Sequence, residues 1–279
     1  MKKELDSCLT VILPCAGEGN RLGLTTPKEL YEIIPGKRLI DFSLDHILAW
    51  NQKERQKENR EKICLQVVVV IRPWKKDVAE YVAEYLSGVN VEAILFNDNY
   101  SEWPGSVHSA SAYFSEYNLV LLPDSYLCLA GNNPCSPVSY SPVTCFNEKG
   151  KTLVELVLDA LKKYNVIFGA VPCTDYDVLK GLGAMRVDQE IVTAFQDKPQ
   201  TGLEGYNSFW GCYGFREKYG QALYDFLIRS VRHQRISLDE QLFYPPGIVP
   251  LYSYQDLGTW ENIRQFKIEL MHSRRPLDI

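Results

Sequence analysis

Glycines and two cations lie close together in one short segment of this sequence, and these residue types suit phosphate chemistry. The segment spans residues 11–30 and reads VILPCAGEGNRLGLTTPKEL. Gly17 and Gly19 have no Cβ, so their loop can bring backbone N–H groups close to a phosphate. Arg21 adds a forked guanidinium and Lys28 a mobile ammonium, and both groups bind phosphate oxygens. Amide donors and two cations on one loop predict a site for a triphosphate group.

Asp124 is a second residue whose position indicates chemistry. It follows the apolar segment NLVLLP at residues 118–123, which predicts a buried strand that ends beside this carboxylate. A carboxylate in such a place is costly without a partner, and a hard divalent cation binds carboxylate oxygens well. The position predicts a metal ligand, and the alternative of an N-cap for the next segment stays open.

The elements that must position these residues alternate between apolar strands and amphipathic helices. This order is typical of a three-layer α/β fold with a mostly parallel sheet and helices on both faces. Ligands of such sheets bind at the carboxyl ends of the strands, which is where the glycine loop lies. The predicted strands are 9–13, 65–71, 89–96, 118–123, 166–171, 206–215 and 248–254, and the predicted helices are 39–50, 75–86, 107–114, 152–164, 223–231 and 260–270.

Length and composition predict one domain over residues 1–279. The irregular segment 129–150, rich in Pro, Ser, Asn and Gly, is interpreted as an insertion loop within it. A net charge of -5 argues against a nucleic-acid partner, which would require a basic face. No apolar segment approaches transmembrane length, and the first residues are too acidic for a secretory signal. Cysteines without metal-site or C-x-x-C spacing predict free thiols in a reduced, cytoplasmic protein without a membrane partner.

Neither of the two common glycine motifs accounts for the loop at residues 15–22. A Walker loop and a dinucleotide-binding loop both need a glycine five residues after Gly17, where this chain has Leu22. The loop instead resembles the signature of the sugar-nucleotide pyrophosphorylases, or sugar-1-phosphate nucleotidyltransferases, which reads G-x-G-x-R-[LM], a short spacer and P-K. The matching residues are Gly17, Gly19, Arg21, Leu22, Pro27 and Lys28.

Further blocks resemble the same family and follow in its order along nearly the whole chain. Asp124 matches the aspartate at the end of an L-x-x-D strand, QDKP at 196–199 is similar to the family's E-K-P, and Asp256 begins a D-x-G-T. The resemblance implies a Rossmann-like fold of the nucleotide-diphospho-sugar transferase type. It also implies an enzyme that transfers a nucleoside monophosphate from a nucleoside triphosphate to a sugar 1-phosphate, releasing pyrophosphate, with Mg²⁺ as cofactor and a homo-oligomer as an open possibility.

The resemblance also implies a role for each matching residue. Arg21 and Lys28 would be catalytic, Arg21 on the β- and γ-phosphates and Lys28 at the pentavalent phosphorus. Asp124 and Asp256 would hold Mg²⁺. The implied nucleotide-binding residues are Ala16, Gly17, Gly19, Gly105 and Ser106, and the implied acceptor-binding residues are Gly183, Asp197 and Lys198.

The sequence departs from the family's pattern in the regions that would bind the base and the sugar. Asp197 replaces the family's usual glutamate, and the glutamine that often lies just before the base-binding loop is missing ahead of the loop that ends at Gly105. Two other hypotheses therefore stay open: a cytidylyltransferase acting on a non-sugar acceptor such as phosphocholine or a phosphonate, and a non-catalytic regulatory subunit that binds a nucleotide or a sugar. The base and the acceptor are not decided by the sequence.

Overall fold

The computed structural model of the chain describes residues 7–56, 63–129, 145–234 and 236–273, with 271–273 described in backbone only. Most of the expected insertion at 129–150 lies outside these residues. The strands are β1 Cys8–Pro14, β2 Glu32–Ile34, β3 Lys37–Arg38, β4 Cys64–Ile71, β5 Asn90–Leu95, β6 Tyr117–Leu121, β7 Ser125–Leu129, β8 Val166–Pro172, β9 Gly183–Asp188, β10 Ile191–Asp197, β11 Ser208–Arg216 and β12 Gly247–Asp256. The helices are α1 Asp41–Arg55, α2 Lys76–Tyr85, α3 Glu102–His108, α4 Leu153–Leu161, α5 Tyr176–Gly181, α6 Gly220–Val231 and α7 Trp260–Ser273.

One ten-stranded sheet runs through the molecule in the order β5-β4-β1-β6-β11-β8-β12-β10-β9, with β7 paired to β12. The first four strands are parallel to one another, and β12 is parallel to β8. Strands β11, β10, β9 and β7 pair antiparallel with their neighbours. The α/β fold predicted from the sequence is therefore confirmed, as a mixed sheet.

Side chains that alternate along β1 face two separate cores, because successive residues of a strand point to opposite faces. Val11 and Leu13 pack in the core that includes Leu44 of α1, whereas Ile12 packs in the core that includes Val107 of α3. The central strands are apolar on both faces because helices cover both sides. The structure thus has three layers, and the edge at the carboxyl ends of β1 and β6 stays open.

The segment around Trp103 differs from its prediction. A helix was expected over residues 107–114, but α3 already starts at Glu102 and ends at His108. Pro104 lies in the first turn of this helix, where a missing N–H breaks no helical hydrogen bond, so proline does not mark a boundary here. The expected helix continues only as a short 3₁₀ turn at Ser111–Tyr113.

The cysteines differ in part from the expectation of free thiols. Cys15 and Cys212 are buried free thiols and Cys64 is an exposed one. Cys128 is disulfide-bonded, so the expectation is wrong at that position. Among the residues that the structure describes, no helix has the length and apolar character needed to cross a membrane.

Candidate active site

The pairing of β7 with β12 brings Asp124 and Asp256 together. Ser125 lies opposite Asp256 in the antiparallel register, and Asp124 is the residue just before it. The backbone N–H of Leu257 also donates to the carbonyl oxygen of Asp124 at 2.8 Å. A strand rather than a helix follows Asp124, so the alternative of a helix N-cap is wrong. The two carboxylates, which are far apart in the sequence, therefore lie side by side at the edge of the sheet.

Two cations lie against these carboxylates. Lys28 Nζ donates a hydrogen bond to Asp124 Oδ2, and its side chain is only 12% exposed. Arg21 Nη1 lies 4.0 Å from Asp256 Oδ2, while 62% of the Arg21 side chain is exposed. Lys28 is therefore held in place by packing and hydrogen bonding, whereas the Arg21 guanidinium is free to contact a ligand.

Gly258 sits in the middle of this group and was not assigned a role from the sequence. A Cβ at this residue would lie 2.9 Å from Asp256 Oδ1, 3.0 Å from Arg21 Nη2 and 3.2 Å from Asp124 Oδ2. Asp256 Oδ1 also accepts a hydrogen bond from the Gly258 N–H at 2.8 Å. Three charged side chains thus approach one backbone position closely because that position carries no side chain.

The charges in this group influence one another. Burial raises the pKa of Asp256, the negative charge of Asp124 raises it further, and the Gly258 N–H, Arg21 and Lys28 oppose the rise. Burial lowers the pKa of Lys28, but the attraction and hydrogen bond of Asp124 outweigh it, so this pKa is raised overall. Lys28 therefore stays protonated, and the two carboxylates repel each other where a cation would relieve the repulsion.

A cavity of about 640 Å³ opens from these residues across the sheet edge. Its size suits a small-molecule ligand. Ten of the twelve site residues expected from the sequence line it: Ala16, Gly17, Arg21, Lys28, Ser106, Asp124, Gly183, Asp197, Lys198 and Asp256. The structure therefore brings together residues from the glycine loop, the segment at Lys28, the ends of four strands and α3.

Gly19 and Gly105 do not line the cavity. Gly19 has φ +74, and a Cβ there would lie 3.7 Å from Lys28 Cβ, so this glycine turns the loop over the stem of Lys28. A Cβ at Gly105 would lie 2.6 Å from Tyr100 Cβ, so this glycine allows α3 to pack closely. Gly105 thus supports the wall of the site by its small size, and Gly19 by a backbone conformation that a side chain would strain. Ser106 does line the cavity, and its buried Oγ has no hydrogen-bond partner among the described residues.

The opposite end of the cavity is built from three neighbouring strands. Asp197 of β10 pairs with Gly183 of β9, and Trp210 of β11 packs so closely on Gly183 that a Cβ there would lie 1.8 Å from Trp210 Nε1. Asp197 is 6% exposed, and burial raises its pKa, with Lys198 opposing the rise. This end combines a buried carboxylate, a cation and an indole face.

Several residues that line the cavity were missed from the sequence: Arg72, Phe96, Glu102, Trp103 and Trp210. The rings of Trp103 and Trp210 lie 5.1 Å apart, and the Arg72 guanidinium lies 4.3 Å from the Phe96 ring centre. Aromatic residues look like ordinary core in a sequence, so their pattern carries no sign of a site. Glu102 and Lys198 have φ of +59 and +44, a strained conformation for such residues that is common at functional sites.

The acidic pair fits a hard divalent cation by its chemistry. Mg²⁺ is usually held by one or two carboxylates together with substrate phosphates, and Asp124 and Asp256 supply two carboxylates beside a cavity that Arg21 and Lys28 also line. Their mutual repulsion, seen in the raised pKa of Asp256, is a second feature that a cation would relieve. The residues present therefore fit the expected cofactor.

Solved structures of other proteins share the fold of this chain, although no sequence comparison identifies a relative. No family model and no curated protein matches the sequence. A protein described as a glucose-1-phosphate thymidylyltransferase from Bacillus anthracis, solved with sucrose, is similar with 13% identity and a TM-score of 0.65 over 98% of this chain and 96% of that one.

Two further solved structures are similar over nearly their whole length. A UDP-glucose pyrophosphorylase from Acinetobacter baumannii has 14% identity and a TM-score of 0.64, covering 95% of this chain and 93% of that one. The inositol-1-phosphate CTP transferase from T. maritima has 15% identity and a TM-score of 0.57, covering 98% of this chain and 99% of that one. These likenesses confirm the nucleotide-diphospho-sugar transferase type of fold that the sequence predicts.

Proposed function

We propose that this protein is a nucleotidyltransferase that transfers a nucleoside monophosphate from a nucleoside triphosphate to a sugar 1-phosphate and releases pyrophosphate. The observation that carries the proposal is one cavity with Arg21, Lys28, Asp124 and Asp256 at one end and Lys198 beside Asp197 at the other. The solved structures with this fold are named for reactions of this class, which supports the same choice.

The reaction joins two anions, so its barrier is electrostatic. A phosphate oxygen of the acceptor attacks the α-phosphorus, and the bond to the pyrophosphate oxygen breaks. The attacking oxygen already carries negative charge, so no general base is needed, and catalysis rests on positioning and charge neutralisation. Such chemistry requires fixed cations near the reacting phosphorus, which is what a packed, protonated Lys28 provides.

Each residue then has a role that its position supports. Arg21 and the amides of the glycine loop bind the β- and γ-phosphates, and Lys28 neutralises charge at the pentavalent phosphorus. Lys198 binds the acceptor phosphate, and Asp197 accepts hydrogen bonds from acceptor hydroxyls. Ala16, Gly17 and Ser106 contact the nucleotide. Gly183 contacts the acceptor through its backbone, because Trp210 packs where a side chain of Gly183 would lie.

Asp124 and Asp256 would hold Mg²⁺, which when bound supplies positive charge to phosphate oxygens. In the structure Lys28 donates a hydrogen bond to one oxygen of Asp124, so the lysine and the ion would share this carboxylate. We expect activity to require a divalent ion, and removal of the ion with a chelator to abolish turnover reversibly.

Release of pyrophosphate tests the proposal directly. Each nucleoside triphosphate is combined with each of several sugar 1-phosphates in the presence of Mg²⁺, with either substrate alone as control. We expect release only when one triphosphate and one sugar 1-phosphate are both present. Binding of both ligands without release would instead favour the non-catalytic alternative.

A second candidate acceptor is a phosphorylated molecule with a cationic group, such as phosphocholine. It is favoured by the acidic and aromatic lining of the acceptor end, where Glu102 adds to the rise in the pKa of Asp197 that burial causes. Carboxylates and indole faces such as Trp103 and Trp210 bind quaternary ammonium groups. Phosphocholine is compared with its neutral isostere 3,3-dimethylbutyl phosphate, and faster turnover of phosphocholine would identify this acceptor class.

The location and assembly of the protein belong to the same proposal. We expect the reaction to take place in the cytoplasm, where nucleoside triphosphates are made. A homo-oligomer is an expectation from the resemblance alone, and the mass of the protein in solution would test it.

A further inference from the structure

Lys75 and Glu29 form a fully buried ion pair below the glycine loop, outside the cavity. Lys75 is 2% exposed and Glu29 is 0% exposed. Lys75 Nζ lies 2.9 Å from both carboxylate oxygens of Glu29. Burying two charges costs free energy that their attraction only partly recovers, so the pair is an expensive way to stabilise a core. Its position beside a candidate ligand site calls for another explanation.

The remaining contacts of Lys75 are with the backbone of the glycine loop. Its Nζ donates to the carbonyl oxygen of Cys15 at 2.9 Å and to that of Gly17 at 2.5 Å. In a trans peptide the C=O and the following N–H point in opposite directions. Two carbonyl groups that turn inward to Lys75 therefore turn the N–H groups of Ala16 and Glu18 away from it, toward the side on which these residues line the cavity.

The two N–H groups have no hydrogen-bond partner in the part of the chain that the structure describes. Unpaired amides that point the same way make a concave site for an anion. Glu29 lies directly after Lys28 in the short helix Lys28–Leu30, so the ion pair also ties this amide pair to Lys28. One buried lysine thus sets the direction of the loop amides and their distance from the catalytic cation.

We infer that Lys75, held by Glu29, is a positioning residue that turns the Ala16 and Glu18 amides toward the cavity to bind the β- and γ-phosphates of the nucleotide. The inference rests on the proposed function only for the identity of the anion. In this inference the buried ion pair contributes to phosphate recognition indirectly: Lys75 orients the glycine loop and does not itself contact the ligand.

Pyrophosphate, a product of the proposed reaction, is the probe for the test. The double variant Glu29→Gln/Lys75→Met removes both buried charges, because loss of one alone would leave the other unpaired in the core. We expect this variant to keep the far-UV circular dichroism of the wild type and to bind pyrophosphate at least about tenfold more weakly by calorimetry. Lys76→Met is the matched control, because Lys76 is the exposed neighbour of Lys75, and it should bind as the wild type does.

A second pair of variants tests the amide itself, whether or not the double variant folds. Glu18→Pro removes the Glu18 N–H and leaves the buried pair intact, and Glu18→Ala removes only the side chain. We expect the proline variant to bind pyrophosphate several-fold more weakly than the alanine variant.

Equal pyrophosphate affinity in the folded double variant and the wild type, or in Glu18→Pro and Glu18→Ala, would overturn the inference. So would a wild-type protein that does not bind pyrophosphate. Failure of the proposed function looks different: the wild type would bind pyrophosphate, and the variants would weaken it as expected, but no acceptor would be turned over. Normal turnover with an unchanged KM for the triphosphate in the double variant would reject the inference and leave the proposed function standing.

Discussion

A methyl group added at Gly258 is a small change that tests whether catalysis depends on the close grouping of Asp124, Asp256 and Arg21. In Gly258→Ala the new carbon would lie 2.9 Å from Asp256 Oδ1, 3.0 Å from Arg21 Nη2 and 3.2 Å from Asp124 Oδ2. Comfortable contact begins at about 3.5 Å, so each group must retreat by a few tenths of an ångström. A displacement of about 1 Å in such a site costs on the order of a hundredfold in rate. We therefore expect kcat to fall about tenfold.

The stability of Gly258→Ala should change little, which separates the effect from a folding defect. Gly258 has no positive φ, so alanine causes no backbone strain, and the loss of a glycine restricts the unfolded chain. Gly205→Ala is the matched control, because a Cβ there meets nothing within 4 Å and Gly205 lies outside the cavity lining. The assay is steady-state release of pyrophosphate beside thermal unfolding. A kcat for Gly258→Ala within twofold of the Gly205→Ala value would refute the dependence of catalysis on this close grouping.

Three other predictions concern single charged residues. Lys28→Met should lower kcat by about a hundredfold or more because it removes a fixed cation. The control Lys37→Met loses an ion pair with Asp45 away from the cavity and should retain turnover. A near-normal kcat for Lys28→Met would exclude this lysine from the chemistry. Asp256→Asn should unfold at a higher temperature than the wild type at neutral pH without metal, because the raised pKa of Asp256 means that its charged form destabilises the fold. This gain in Tm should vanish below the unfolded pKa of about 3.9, where the carboxyl is protonated in both the folded and the unfolded state. A lower Tm for the variant at neutral pH would contradict the prediction. Lys198→Ala should raise the KM of the acceptor about tenfold or more and leave that of the triphosphate unchanged, as initial rates at varied substrate concentrations would show; an effect on the triphosphate alone would place Lys198 at the wrong end of the cavity.

Much of the fold was predictable because its signals are local. The apolar run of β1 and the amphipathic pattern of α2 each reflect burial of a nearby face. The sequence predicts a helix from residue 152, and in the structure Thr152 and Glu155 form a capping box at the start of α4. Thr259 likewise caps α7, accepting from the Asn262 N–H at 3.2 Å. The start of α3 was not predictable from Pro104, since the same residue marks a turn or occupies a first helical turn equally well.

The sequence by itself determined which chemical groups are available and the order in which they occur. The glycine loop with Arg21 and Lys28, and the aspartates at two strand ends, are recognisable because phosphate and metal chemistry need particular residue types at short spacing. These local patterns predicted the fold class, and together with the family resemblance they named ten of the residues that line the cavity.

Only the tertiary structure decided which of these groups meet. The pairing of β7 with β12 sets Asp124 beside Asp256, and no local pattern contains that register. Lys75 and Lys76 are identical in type, yet one is buried on Glu29 and the loop carbonyls and the other is exposed. The roles of Gly258, Trp210 and Lys75 depend on atoms distant in the chain, because packing and burial are properties of the folded molecule and not of any one segment.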